Sequence, residues 1–487
     1  MSHQDLFTPS TSPESVGIPS RALLRFLDRI DGERIGMHGF LLVRHNRIAA
    51  EGYWAPWSAD RKHRMYSVSK SFVSLAVGLL ADEGKLSLDD PICAHFPDKL
   101  PDEVHPWLAA TTVRDLLTMS TPFSDTAYTN KGPDWVRAFL SKTATHPPGS
   151  VFQYDTGGTV VLTALVERLS GQSLLDLMRP RFLDPIGFSP DAFCIRTPEG
   201  GAWGGSGVVC TLRDLSRVAL ACLNGGMWGN EQVLPPQYVR AATAKQIDNT
   251  LTGNCGYGYQ IWREPGNGFA FCGMGSQYAV GLPDRDVLFA CIADTQGAPA
   301  GSPILDVARQ ELYPHLSDAP LPEDADACAA LADRIEGLAT LPMPGSSDSP
   351  VASDIDGVWY ALEDNPMGIT RTRLSFDGDG GVWEYTNAQG DNALPFGLGR
   401  VQPGEFPQRN YHMEQIGTVP GTRYECLASA AWVDEATLNM EVLVTDIHLG
   451  GLRISFAFKG EEIAVFMTKQ AEWFLDEYHG IAGGRRL

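Results

Sequence analysis

The sequence predicts an α+β domain followed by an all-β region. Three observations carry that prediction. Strand-like runs stand near both ends of the first 317 residues and enclose a helical middle. The stretch Pro342-Met343-Pro344-Gly345-Ser346-Ser347-Asp348-Ser349-Pro350 has the composition of a linker. Beyond it the pattern turns to strand-type alternation alone. The expected organisation is a domain over 1–317, a helix and linker over 318–354, and an antiparallel barrel-like domain over 355–487. At 487 residues the chain is too long for one compact core.

The elements follow in order. Gly39–Arg44 and Asn46–Tyr53 read as a strand, a turn and a strand. A long helix opens near Ser67; Phe72, Val73, Ala76, Leu79 and Leu80 form its apolar stripe and Gly84 supplies a stop. Thr112 caps a short helix, another runs from about Val160 to Ser170, and Asn224-Gly225-Gly226 ends a further one. Strands return at Tyr257–Trp262, Tyr278–Leu282 and Val287–Ile292, with a turn at Pro283–Asp286. Helices are expected over Pro303–Leu316 and Ala325–Leu338. In the last region Leu438, Met440, Val442 and Val444 alternate with other residues, as do Ile454, Phe456 and Phe458. Lys459-Gly460-Glu461-Glu462 makes a hairpin turn there. Several such strands in about 130 residues suggest an antiparallel barrel or sandwich.

Composition excludes several function classes. Hydrophobic content of 43% with 20% charged residues describes a folded globular chain. The formal charge of −21, from 59 acids against 38 bases, argues against nucleic acid or an anionic membrane as partner. It permits a cationic or amine-bearing substrate, but solubility is the common explanation for such a charge. No run of 18 apolar residues predicts a membrane span. The start, Met1-Ser2-His3-Gln4-Asp5-Leu6, has neither a basic nor an apolar segment, so a cytoplasmic protein is expected. Nine scattered cysteines without a C-x-x-C pair fit reduced thiols. No H-E-x-x-H, clustered Cys/His spacing, P-loop or strand-linked G-x-G-x-x-G appears, so neither a metal nor a cofactor is expected.

The chemistry centres on Ser67-Val68-Ser69-Lys70. Residues three apart share a helix face, so Lys70 can lie beside the Ser67 oxygen. A lysine held at a helix N-terminus and partly desolvated loses proton affinity and can act as a base. Roughly one S-x-x-K is expected by chance at this length, and an ordinary helix start capped by Ser67 reads the same way. Three further landmarks follow in order: Tyr154-Asp155-Thr156-Gly157-Gly158 after Pro147-Pro148-Gly149, then Gly204-Gly205-Ser206-Gly207, then Phe271-Cys272-Gly273-Met274-Gly275-Ser276-Gln277.

This series over residues 10–315 resembles the serine β-lactamase and penicillin-binding-protein superfamily, and within it the esterase and amidase branch that includes 6-aminohexanoate-dimer hydrolase and D-aminopeptidases. The resemblance implies a β-lactamase/transpeptidase-like domain, a mixed antiparallel sheet beside a helical region with the site between them. It implies Ser67 as nucleophile of an acyl-enzyme, with Lys70 and Tyr154 moving protons. The oxyanion hole maps onto the backbone N–H groups of Ser67 and Met274, with Gly273 allowing close approach. Tyr66, Asp155, Thr156, Trp203, Gly273 and Gly275 are the expected substrate-binding positions. Some peptidases of the superfamily carry a lipocalin-like barrel after the catalytic domain, and the last 130 residues look similar.

Departures from the family pattern narrow the substrate. Phe271-Cys272-Gly273 stands where β-lactamases have K-T-G, so the lysine that holds a substrate carboxylate is missing. Thr156 stands where the Y-x-N triplet has asparagine, so its dual donor and acceptor roles are lost. Both favour a neutral or amine-bearing ester, amide or short peptide over an antibiotic. An acyltransferase using the same acyl-enzyme, a β-lactamase and a non-catalytic binding protein are the rival readings, and a homo-oligomer is allowed. Each site residue also has a plain alternative: Tyr154 as a buried ring, Gly273 and Gly275 as a bulge, Trp135, Tyr128 and Trp203 as core or surface rings, and His146 as a loop residue.

Overall fold

The computed structural model of the chain describes residues 6–126, 132, 134–249, 255–297, 302–407, 411 and 424–487. The chain separates into two compact units, Met1–Ala293 with Ser302–Leu338, and Asp294–Gly301 with Ala339–Leu487. The segment 318–354 is thus divided between them at Leu338.

The first unit is built on a seven-stranded sheet. Its strands are β1 (Thr8–Pro9), β2 (Met37–Arg44), β3 (Arg47–Tyr53), then β6 (Trp262–Arg263), β7 (Phe269–Gly273), β8 (Gln277–Leu282) and β9 (Val287–Ala293). The spatial order is β1-β3-β2-β9-β8-β7-β6, antiparallel except for the β1–β3 pair. Strands β2 and β9 are buried at every position, as a central strand covered on both faces requires. One face carries Phe26 and Leu27 of helix α1 (Ser20–Gly32) and Ile304 and Val307 of helix α6 (Pro303–Glu311). The other packs against the helical region, where Phe72, Leu75 and Leu79 of helix α2 (Ser69–Asp82) meet Val161 and Leu165 of helix α4 (Thr156–Ser170). A small sheet of β4 (His63–Arg64), β5 (Val208–Cys210) and Phe193–Cys194 closes the region ahead of Ser67.

Local chemistry sets the helix ends. Thr112 with Asp115, and Thr211 with Asp214, form reciprocal capping boxes on α3 (Val113–Leu117) and α5 (Leu212–Leu223). Helix α7 (Ala325–Glu336) starts at the Asp324 cap. Two expectations change. Helix α2 buries more than the expected apolar stripe: every residue from Ser69 to Leu80 is buried, because sheet and helices enclose it. The run Tyr257–Trp262 is not a strand; only Trp262–Arg263 joins the sheet. Gln260 breaks it with φ of +56° and is held by tertiary hydrogen bonds.

The second unit is a closed antiparallel barrel. Its strands are β10 (Tyr360–Leu362), β11 (Arg371–Asp377), β12 (Gly380–Asn387), β13 (Gly390–Leu398), β14 (Gln402–Glu405), β15 (Glu425–Trp432), β16 (Thr437–Val444), β17 (Gly450–Lys459), β18 (Glu462–Ala471) and β19 (Gly480–Arg486). The order β13-β12-β11-β10-β19-β18-β17-β16-β15 closes through parallel pairing of Gly397 and Leu398 with Ser429 and Ala430. Strand β16 alternates half-buried and buried residues throughout, the period that a filled barrel imposes. Inside, Trp383 stacks on Tyr385 at 4.2 Å, and the Tyr385 and Tyr478 hydroxyls meet at 2.9 Å.

Candidate active site

Helix α2 is entered through a 3₁₀ turn, Tyr66–Val68. Tyr66 takes the left-handed conformation at φ +47°, a state that costs an aromatic residue on the order of 1–3 kcal/mol. Its ring is buried beneath the Arg64 guanidinium, 4.2 Å from the ring centre. Ser67 follows, half-buried. One turn on, the buried Lys70 donates from Nζ to Ser67 Oγ at 2.9 Å and to the Gly205 carbonyl at 2.6 Å.

Tyr154 completes the group. Lys70 Nζ lies 5.0 Å from its ring centre, and the Tyr154 hydroxyl is hydrogen-bonded with Ser67. Burial pushes the phenol well above its ordinary range, and the Ser67 hydrogen bond only partly opposes this. Burial here thus favours the neutral phenol. Trp262 stacks on the Tyr154 ring, centres 5.6 Å apart, and Tyr257 and Phe152 meet Trp262 edge-on at 5.0 and 6.0 Å.

Asp155 is fully buried and caps α4, its Oδ1 accepting from the Gly157 N–H at 2.7 Å. Burial raises its carboxyl, against Thr126, Lys142, the Gly157 amide and Lys70. Thr156 opens α4 and turns its methyl to Gly205, where an added Cβ would stand 2.5 Å from Thr156 Cγ2. Glycine at 205 thus lets the turn come close enough to offer its carbonyl to Lys70. Trp203 is fully buried under that turn, with Trp135 edge-on at 6.1 Å and the Arg64 guanidinium over its ring at 4.6 Å. Its ring packs the wall and does not line an open cleft, because the glycine turn covers it.

The end of β7 supplies the opposite wall. A Cβ on Gly273 would lie 2.4 Å from the Met65 carbonyl, so the strand passes directly against the turn that precedes Ser67. Met274, half-buried, begins the hairpin loop, and Gly275 and Ser276 follow at φ +73° and +70°. Gln277 fixes this loop: Nε2 donates to the Met274 and Ala293 carbonyls at 2.9 and 2.7 Å, and Oε1 accepts the Ala293 N–H at 3.2 Å. Phe271 is buried beside Phe269, ring centres 5.7 Å apart. His146 sits in a loop with Nδ1 2.9 Å from Thr145 Oγ1, and Tyr128 lies outside the described residues.

Several contributors escaped the sequence reading. Trp262 and Tyr257 were hidden in a run that resembles a strand. Gln260 binds three helices: its amide N–H and Nε2 donate to the Leu117 and Leu116 carbonyls, its Oε1 accepts from Thr159, and its carbonyl accepts from Ser71. Among the described residues no group of His, Cys, Asp or Glu is arranged to hold a metal ion. Nor is any helix there long and apolar enough to cross a membrane. All nine cysteines are free.

A helix buried between a mixed sheet and a helical region, entered through a turn on whose serine a lysine and a tyrosine converge, defines a class, and comparison places the chain in it. A family model described as Beta-lactamase matches residues 26–312, more than half of the chain, and the chain belongs to that family. Its relatives include the 6-aminohexanoate-dimer hydrolase of Paenarthrobacter ureafaciens, 27% identical over 230 residues that cover 44% of this chain and 58% of that protein. Esterase EstB of Burkholderia gladioli is 27% identical over 185 residues, 34% of this chain and 47% of the esterase. The chain thus spans less than two thirds of the length of these curated relatives. A Bacillus anthracis structure, provisionally described as a 6-aminohexanoate-dimer hydrolase, shares the fold with a TM-score of 0.53 at 18% identity, over 63% of this chain and 87% of that one. The chain is accordingly a member of a serine hydrolase superfamily with amidase and esterase relatives.

Proposed function

We propose that the protein is a serine hydrolase that cleaves an amide, peptide or ester bond through an acyl-enzyme on Ser67. The observation that carries this reading is Lys70 Nζ bridging Ser67 Oγ and the Gly205 carbonyl beside the neutral phenol of Tyr154. Unprotonated Lys70 accepts the Ser67 hydroxyl proton as Oγ bonds to the substrate carbonyl carbon. The negative charge on the carbonyl oxygen is met by the backbone N–H groups of Ser67 and Met274. Tyr154 gives its proton to the leaving nitrogen or oxygen as that bond breaks, and is reprotonated from Lys70. Water then attacks the acyl carbon, passing its proton back through the same pair, and the acid leaves with Ser67 restored. No cofactor enters any step.

The substrate end is read from what faces the site. The buried Phe271 leaves the K-T-G lysine position without a cation, which disfavours β-lactams and free C-terminal carboxylates. The aromatic group of Tyr154, Trp262 and Tyr257 suits a neutral or amine-bearing amide, ester or short peptide.

Intact-mass labelling with a fluorophosphonate tests the reading. One adduct on the wild type, absent in Ser67→Ala and Lys70→Ala, is expected. Folded wild-type protein that takes no adduct overturns it. Product analysis with an added alcohol or amine then separates hydrolysis from acyl transfer.

A further inference from the structure

We propose that Arg64 is a positioning residue for acyl transfer: its guanidinium joins the residue before the nucleophile to the turn that receives the lysine. The inference rests on the roles proposed for Ser67 and Lys70. Arg64 is fully buried, a costly place for a cation unless its edge is hydrogen-bonded and its faces are covered. Both conditions are met by residues adjoining the site. On the edge, Nε donates to the Ser206 carbonyl and Nη2 to the Ser206 hydroxyl, each at 2.9 Å. On the faces lie Tyr66 at 4.2 Å and Trp203 at 4.6 Å.

Two of these contacts adjoin the positions that hold the reacting groups. Tyr66 immediately precedes Ser67, and its left-handed backbone aims the 3₁₀ turn that presents the serine. Ser206 immediately follows Gly205, whose carbonyl fixes Lys70 Nζ. A shift of the guanidinium therefore moves the nucleophile and the acceptor of the lysine together. The backbone holds Arg64 in turn: it pairs with Val209 across β4 and β5, and its carbonyl accepts from His63 Nδ1 at 3.1 Å. Lysine cannot replace it, because an ammonium offers neither a planar face nor a two-pronged edge.

The test measures the fluorophosphonate labelling rate of the full chain together with its Tm. Misplacement of reacting groups by an ångström costs about 100-fold, and a loss of that size is expected for Arg64→Ala. Millimolar guanidinium ion, filling the vacated slot, is expected to restore labelling saturably, whereas ammonium ion is not. Arg64→Lys, which keeps charge and most of the volume, is expected to fold and still label about tenfold or more slowly; it carries the test should Arg64→Ala not fold. Wild-type labelling rates in folded Arg64→Lys, or in Arg64→Ala, overturn the proposal. So does a slow Arg64→Ala that guanidinium leaves unchanged. If the wild type itself takes no adduct, the acyl-enzyme reading fails; if wild type and variants label alike, Arg64's role alone fails.

Discussion

The indole of Trp262 lies on the ring of Tyr154, with centres 5.6 Å apart and planes 24° from parallel. The indole is half-buried, and its stacked face holds the tyrosine ring in place. An aromatic pair of this kind is worth about 0.5–1.5 kcal/mol beyond its buried area. Trp262→Ala is therefore expected to lower kcat/KM by about tenfold, and Trp262→Phe to retain most of it. Steady-state kinetics on an aryl ester would decide; equal kcat/KM in wild type and Trp262→Ala would sink the idea.

Tyr154→Phe separates the two proton transfers. Loss of a proton donor typically costs about 10²–10⁴-fold where the leaving group needs a proton. Turnover of an aminoacyl anilide is expected to fall by that amount. A p-nitrophenyl ester, whose leaving group departs as an anion, is expected to lose far less. Equal losses on both substrates would contradict Tyr154 as the leaving-group acid.

Gly273→Ala would place a methyl 2.4 Å from the Met65 carbonyl. Backbone cannot yield there as a side-chain tip would, so β7 must draw back from the Ser67 turn. The expected outcome is a loss of about 10²–10³-fold in kcat, the scale for removing one oxyanion donor. A destabilisation of about 1–3 kcal/mol should accompany it. Tm and kcat measured together test this, and unchanged kcat would place the oxyanion donors elsewhere.

Two buried histidines make stability depend on pH. His38 Nδ1 and His63 Nε2 are 2.9 Å apart, and His63 Nδ1 donates to the Arg64 carbonyl. Burial holds both below the ordinary imidazole range, His63 at about 4 and His38 well below 6.5, with the Arg61 cation adding to the effect. The unfolded chain takes up protons below pH of about 6.5 while the folded chain stays neutral. Stability is thus complete above that pH and falls as pH drops below about 6.5. The part due to His63, on the order of 3 kcal/mol, ends near pH 4 where it protonates in place, while His38 keeps its own share until it too protonates. His63→Asn with His38→Gln is expected to flatten Tm against pH in that window, and an unchanged slope would refute the assignment.

What the sequence discloses follows from how far each signal reaches along the chain. The Ser67–Lys70 contact is a spacing of three on a helix, and the barrel strands show as alternation at period two; both are local. Gly205 and Gly273 stand out as glycines, but the neighbours that require them, Thr156 and Met65, lie far off in sequence. Tyr257–Trp262 has every local mark of a strand, yet Gln260 holds it in another conformation through partners on three helices. Trp203 beside glycines suggests a cleft wall, whereas the fold turns it inward beneath the Gly205 turn. Arg64 carries no mark at all, since its meaning lies in two aromatic faces and one turn that only the folded chain assembles.

Helix α2 offers no solvent face from Ser69 to Leu80. A segment with that pattern gains little from forming alone and is stabilised when the surrounding layers close over it. The contact between Lys70 and Ser67 therefore depends on the layers packed around the helix. On the proposed mechanism an unfolded copy, lacking that contact, presents Ser67 as an ordinary hydroxyl. Labelling at Ser67 is then itself a report that the core around the helix is closed.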